Sequence, residues 1–199
     1  MKHFIAALFV NIVVFSCFNA PNLYAQDPID GFTVFSSSHS DRFAIKIPSN
    51  WEQKKMDSVD NGIYYNFWDG QGNALSVGVR MPNTFFNLLK AIENKAVSKD
   101  QLLRFQKEFA DAAPMKRGLS LSINVIANRR ALTQTFLYKK ETLGNVLYII
   151  NVTHEFLYNN KQYGISYSMV GKTVDKVIQN FEDSERRYFT PMLLSFSLY

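Results

Sequence analysis

The chain has 199 residues, is 47% hydrophobic and 15% aromatic, and carries a formal charge of +5. This apolar content excludes an intrinsically disordered chain, and the length suits one domain with a sizeable core. The charge is mild, and a lone cysteine excludes a disulfide framework and a zinc–thiolate cluster within the chain.

Residues 1–25 read as an export signal. Lys2 and His3 open it, residues 4–18 form an apolar run broken only by Asn11 and Ser16, and Leu23-Tyr24-Ala25 presents a small residue before Gln26 and Asp27. Cleavage after Ala25 leaves residues 26–199 as one periplasmic or secreted domain with 21 basic and 17 acidic residues, hence +4, and no cysteine. A second reading stays open. Val14-Phe15-Ser16-Cys17 loosely resembles a bacterial lipobox, in which Cys17 becomes the lipidated N-terminus. No later stretch approaches the ~20 apolar residues of a membrane span.

Period-two patterning predicts strands over Phe32-Thr33-Val34-Phe35 and over residues 42–47, where Phe43, Ile45 and Ile47 share one face. Pro48 closes the second, and Ser49-Asn50-Trp51 forms a turn. Strands follow at 63–68 and 74–80, joined by the hairpin Asp69-Gly70-Gln71-Gly72-Asn73. After Pro82, residues 84–95 read as a helix striped by Phe85, Leu88, Leu89 and Ile92. Ser98 suits the N-cap of a second helix over 99–112, striped by Leu102, Phe105 and Phe109 and stopped by Ala113-Pro114.

The alternation resumes with Leu119, Leu121, Ile123 and Val125. A turn near Asn128-Arg129-Arg130 leads to a strand over 131–140, then a long apolar strand over 146–158. Asn159-Asn160 is a hairpin signal, because Asn tolerates positive φ. Residues 161–170 return with Tyr163, Ile165, Tyr167 and Met169 on one face and Gly164, Ser166 and Ser168 on the other. Thr173 caps a last helix carrying Val174, Val177, Ile178, Phe181 and Tyr188. Thr190-Pro191 starts a short final turn, and residues 195–199 add a terminal strand. This order predicts an α+β fold, an antiparallel β-sheet flanked by helices.

The run Phe43-Ala44-Ile45-Lys46-Ile47-Pro48-Ser49-Asn50-Trp51 resembles the opening of PsbP-like domains, which reads F-x-I-x-x-P-x-x-W. The far end is similar too: Tyr163-Gly164-Ile165-Ser166-Tyr167 in a long hairpin, a helix, then Leu193-Leu194-Ser195-Phe196. The resemblance spans residues 31–199. It implies an α/β/α sandwich and membership of a group made mostly of adaptors: photosystem subunits, a nuclear-transport GTPase-binding factor and small exported bacterial proteins. It implies no active site, since Pro48 and Trp51 match positions of the fold.

Few residues in the mature chain point to chemistry. His154 and Glu155 are adjacent in a strand and so face opposite sides. His39 lies in the polar loop Ser36-Ser37-Ser38-His39-Ser40-Asp41, and no nucleophile elbow is present. Asp57, Asp60, Asp69, Asn61 and Asn73 match no calcium-loop spacing and read as turn chemistry. Neither a phosphate-binding loop nor a dinucleotide fingerprint occurs, so no cofactor is implied. The Asn151-Val152-Thr153 sequon falls in a predicted central strand.

Two candidate surfaces remain. Dibasic pairs at Lys54-Lys55, Lys116-Arg117, Arg129-Arg130, Lys139-Lys140 and Arg186-Arg187 could meet an anionic surface or an acidic partner. Tyr138, Tyr148, Tyr158, Tyr163 and Tyr167 could line a groove with His154. The leading expectation is an exported envelope accessory domain that binds a protein. The alternatives are a periplasmic hydrolase built on His154 and a lipid-anchored carrier modified at Cys17. Export and the lack of a recognition motif speak against nucleic acid.

Overall fold

The computed structural model describes residues 31–37, 42–59, 62–81, 86–112, 116–142 and 145–199. The expected leader with Cys17, His39, Asp60 and Asn61, Pro82 and Phe85, and the Ala113-Pro114 stop all lie outside the described residues.

Among the described residues, ten strands form two antiparallel sheets. The smaller has the order β1-β2-β10, from β1 (Phe32–Ser36), β2 (Phe43–Pro48) and β10 (Ser197–Leu198). The larger has the order β3-β4-β5-β9-β8-β7-β6. Its strands are β3 (Glu52–Val59), β4 (Gly62–Trp68), β5 (Asn73–Arg80), β6 (Lys116–Ile126), β7 (Arg129–Thr142), β8 (Asn145–Tyr158) and β9 (Lys161–Gly171). Helices α1 (Phe86–Glu93) and α2 (Lys99–Ala112) separate β5 from β6. After β9, α3 (Val174–Ser184) runs through wider π-type turns (Glu185–Phe189) into α4 (Thr190–Ser195). This is the α+β arrangement that the sequence pattern predicts.

Two features differ from expectation. The first two strands build their own small sheet, which the chain leaves at the Ser49-Asn50 turn after Pro48. The strand β3 was not expected at all, because Glu52-Gln53-Lys54-Lys55-Met56-Asp57-Ser58-Val59 shows no apolar alternation. It is an edge strand, where charges are tolerated and discourage further pairing.

The turns follow from local chemistry. Asn159 and Asn160 both adopt positive φ (47° and 58°), and so do Ala127 and Asn128 (47° and 62°), one residue earlier than expected. Two successive positive-φ residues make the hairpin turn whose twist matches the strands. In the β4–β5 turn the Asp69 carboxylate accepts from the backbone N–H of Gln71 (2.7 Å) and of Asn73 (3.0 Å), and from the Asn73 side chain. Ser98 and Gln101 form a reciprocal capping box at α2: Gln101 N–H donates to Ser98 Oγ (3.2 Å) and Ser98 N–H donates to Gln101 Oε1 (2.8 Å).

The two faces of the large sheet differ in kind. One face carries Tyr65, Phe67, Leu75, Val77, Ile150, Val152, Phe156, Tyr163, Ile165 and Tyr167, and buries them against the small sheet, α3 and α4. Phe35 and Phe43 reach across to Tyr65 (ring centroids 5.1 and 5.4 Å). On the opposite face, Leu132 and Leu157 pack with Leu89 and Ile92 of α1, joined by Leu102, Phe105, Leu121 and Ile123. Away from that small cluster, the second face mixes polar side chains with a few buried apolar ones such as Tyr64, Ala74 and Ile149.

Candidate functional site

The sequence-derived aromatic set divides between the faces. Tyr148, His154, Tyr163 and Tyr167 lie on the apolar face, whereas Tyr138 pairs with Ile149 on the other. Tyr163 stacks on Phe156 (5.5 Å, 9°), and Tyr167 forms a cluster of three rings with Phe181 (5.8 Å) and Phe189 (4.4 Å). The Tyr167 hydroxyl donates to Glu185 Oε1 at 3.2 Å, and burial raises its pKa, as it does that of Tyr138. Tyr163 and Tyr167 are buried under the small sheet and the terminal helices, so they form core stacking and not a groove.

His154 is 3% exposed. The Thr133 hydroxyl accepts from Asn124 Nδ2 (3.1 Å) and lies 2.8 Å from His154 Nδ1. The Thr133 hydroxyl and Nδ1 thus share one hydrogen bond, whose donor is set by the ring's tautomer. Burial lowers the His154 pKa to about 4.

Among the described residues, the basic side chains of these pairs engage separate partners. Arg129 pairs with Glu93 (3.2 Å) and lies over the Tyr158 ring (5.0 Å), while Arg130 Nε donates to the Ile92 carbonyl (2.8 Å) at the end of α1. Both arginines therefore dock α1. Lys139 pairs with Glu141, and Arg186 with Asp183, each on exposed surface. The side chains of Lys54-Lys55 and Lys116-Arg117 lie outside those described. Among the described residues no cluster of metal-ligating side chains occurs, and no helix is long and apolar enough to cross a membrane.

Sequence reasoning passed over a polar row on the second face. Registered positions bring together Asn66, Ser76, Ser166, Thr153 and Gln134, and beside them Arg80, Gln162 and Glu155. All eight are buried. Arg80 lies 3.8 Å from Glu155, and desolvation pushes the Glu155 pKa up to about 7 although Arg80 pulls the other way. The available signal was a glutamate inside the long apolar strand expected over 146–158 and an arginine closing the strand expected over 74–80.

A second missed feature is on the outside of the small sheet. Phe32, Lys46, Pro191, Leu194 and Ser195 line an open cleft of about 550 Å³. Val34 beside it is 65% exposed and Leu194 is 81% exposed, so apolar side chains stand in water there. Ser195 fixes the cleft wall: its hydroxyl accepts from the Lys46 backbone N–H (2.8 Å) and donates to the Met192 carbonyl (2.6 Å). The period-two pattern held this information, since Phe32 and Val34 occupy the face opposite the core-facing Phe35.

No family model matches the chain, and no curated protein matches it. Solved structures do. A point mutant of the protein Mog1 superposes with a TM-score of 0.51 at 8% identity, covering 84% of this chain and 96% of its own. The Ran-binding protein Mog1p of Saccharomyces cerevisiae covers 84% and 95% at 6% identity and a TM-score of 0.47. LpqN of Mycobacterium tuberculosis, described as involved in cell envelope biogenesis, covers 84% and 90% at 10% identity and a TM-score of 0.39. At such identities the likeness speaks to architecture only, and the chain shares the α+β sandwich of Mog1.

Proposed function

We propose that this protein is an exported accessory domain of the PsbP-like kind, which binds a protein of the cell envelope through the β1–α4 face and carries out no chemistry of its own. The observation that carries the reading is the cleft beside β1, where Phe32, Val34 and Leu194 leave apolar area exposed around Lys46. Ordered, solvent-facing apolar area of this kind marks interaction sites. The shared sandwich is that of a protein known by a binding partner, and the leader-like residues 1–25 support export. A hydrolase based on His154 is disfavoured, because its ring is buried, neutral and held by Thr133.

Affinity capture from envelope extract tests this reading. The wild-type domain should retain a discrete partner that the Val34→Lys, Leu194→Lys double variant loses, with both proteins equally folded by circular dichroism. Equal recovery by both would place binding elsewhere, and turnover in an activity screen would overturn the non-catalytic part. Mass spectrometry of the mature N-terminus should read Gln26; a lipidated Cys17 would replace the free domain with an anchored one.

A further inference from the structure

The sheets end in four edges, and three are guarded against pairing. β3 carries Glu52, Lys54, Lys55 and Asp57 in its sequence, β6 has a register shift between Gly118 and Ser120 with α2 packed along it, and β10 is two residues long. Charges, bulges and shortness are the usual devices that keep an edge from recruiting a strand. β1 has none of them: Phe32-Thr33-Val34-Phe35-Ser36 holds no charge and no proline, pairs only with β2 among the described residues, and is mostly exposed.

The ladder shows what this edge offers. Ser49 N–H donates to the Gly31 carbonyl (3.1 Å) and Ser37 N–H to the Phe43 carbonyl (3.0 Å). In the unbroken β1–β2 register, bonded pairs recur at every second residue, so Thr33 and Phe35 bond to β2. The N–H and C=O groups of Phe32, Val34 and Ser36 then point away from β2. Phe32, one of the residues with outward backbone groups, also lines the cleft, and the exposed Val34 lies on the same face of the strand.

From this we infer that β1 is a strand-addition site: an extended segment of a partner protein, apolar at alternate positions and acidic at its flanks, pairs with the free edge of β1. The inference rests on the β1–α4 face being the binding surface. Main-chain bonds would supply affinity, and Phe32 and Val34 would select apolar side chains on one face of the guest. The acidic flanks follow from charge: Lys46, the register partner of Val34, is exposed and is the charged residue of the cleft, and the chain is net positive. A guest strand lies about 10 Å from β2, two strand spacings, toward which the long lysine side chain can extend. The same charge argues against a second copy of this chain, which would bring like charges and a second Lys46 to a five-residue seam, well short of the ~1,200 Å² of a stable interface.

The test uses a labelled synthetic peptide, acetyl-Asp-Val-Thr-Val-Thr-Asp-amide, with fluorescence polarisation and amide exchange as readouts. Binding should protect the Val34 and Ser36 amides, whose N–H groups point away from β2, and Val34→Pro should weaken it about tenfold while Val34→Thr should not. Proline at 34 removes an outward N–H and leaves the β2 ladder whole, so it separates main-chain pairing from side-chain docking. A peptide with Lys in place of Asp should bind more weakly, and Lys46→Glu should reverse that order. Binding that survives Val34→Pro but falls with Leu194→Lys would overturn strand addition while keeping the β1–α4 face. Binding insensitive to Val34→Pro, Lys46→Glu and Leu194→Lys alike, or absent, overturns the site. Concentration-dependent dimerisation of the protein alone, abolished by Val34→Pro, would assign the edge to a second copy instead.

Discussion

Arg80 on β5 and Glu155 on β8 face each other across the intervening β9 at 3.8 Å, with side chains 3% and 1% exposed. The separation is an ion-pair distance but too long for a hydrogen bond, and neither Glu155 carboxylate oxygen has a hydrogen-bond partner among the described residues. Gly164, the β9 neighbour of Glu155 in register, contributes no side chain to separate the pair. Desolvation therefore dominates at Glu155, whose pKa rises to about 7.

The sign of the consequence is fixed by that direction. An acid whose pKa is higher in the folded state stabilises the protein at low pH, and the contribution is lost as pH rises from about 4.5 through about 7. A Glu155→Gln variant lacks this term. Chemical denaturation at pH 5 and pH 8 should show the variant gaining on wild type by up to about 3 kcal/mol between the two, on top of a constant offset from the altered Arg80 pairing. Parallel curves would mean that Glu155 titrates normally.

His154 acts in the opposite sense. Its pKa is about 4 folded against 6.5 unfolded, so the stability it confers is full above pH 6.5 and is lost as pH falls toward 4. His154→Gln should flatten this acid limb, again by about 3 kcal/mol. A proton resonance of the His154 ring should stay at its neutral position down to pH 5; titration near 6.5 would contradict the buried, Thr133-bound ring.

The capping box of α2 sets a local prediction. Ser98→Ala removes the side-chain acceptor for Gln101 N–H and should cost about 1 kcal/mol. Amide exchange in the first turn of α2 should accelerate more than exchange in β8, and uniform acceleration would show that the cap is not local in effect.

Close approach of α3 to β9 sets another. A Cβ at Gly171 would lie 2.8 Å from Val177 Cβ, so Gly171→Ala should destabilise by about 1–3 kcal/mol. Trimming the obstacle with Val177→Ala in the same protein should recover part of that loss beyond additivity. Strict additivity of the two substitutions would deny the contact.

Much of this architecture was legible from period and capping alone. Tyr163, Ile165 and Tyr167 alternate with Gly164 and Ser166 because β9 is a central strand with two unlike faces. Ser98 marked the start of α2 because an N-cap hydroxyl has a fixed place relative to the helix. The strand β3 was not legible, since its residues answer to an edge and not to a core. The Arg80–Glu155 row was hidden for a different reason: it is assembled by register across five strands, which no local spacing records. The exposed Phe32 and Val34 looked like ordinary strand residues until β1 was seen at the end of a sheet with nothing beyond it among the described residues.

The central claim is that the β1–α4 face meets a protein partner, and site-specific photocrosslinking in the producing cell tests it most directly. A photoreactive phenylalanine analogue at position 34 or at position 194 should yield the same discrete adduct, and the analogue at position 178, an exposed apolar site on α3, should yield none. Adducts from position 178 alone, or equally from all three positions, would contradict the claim.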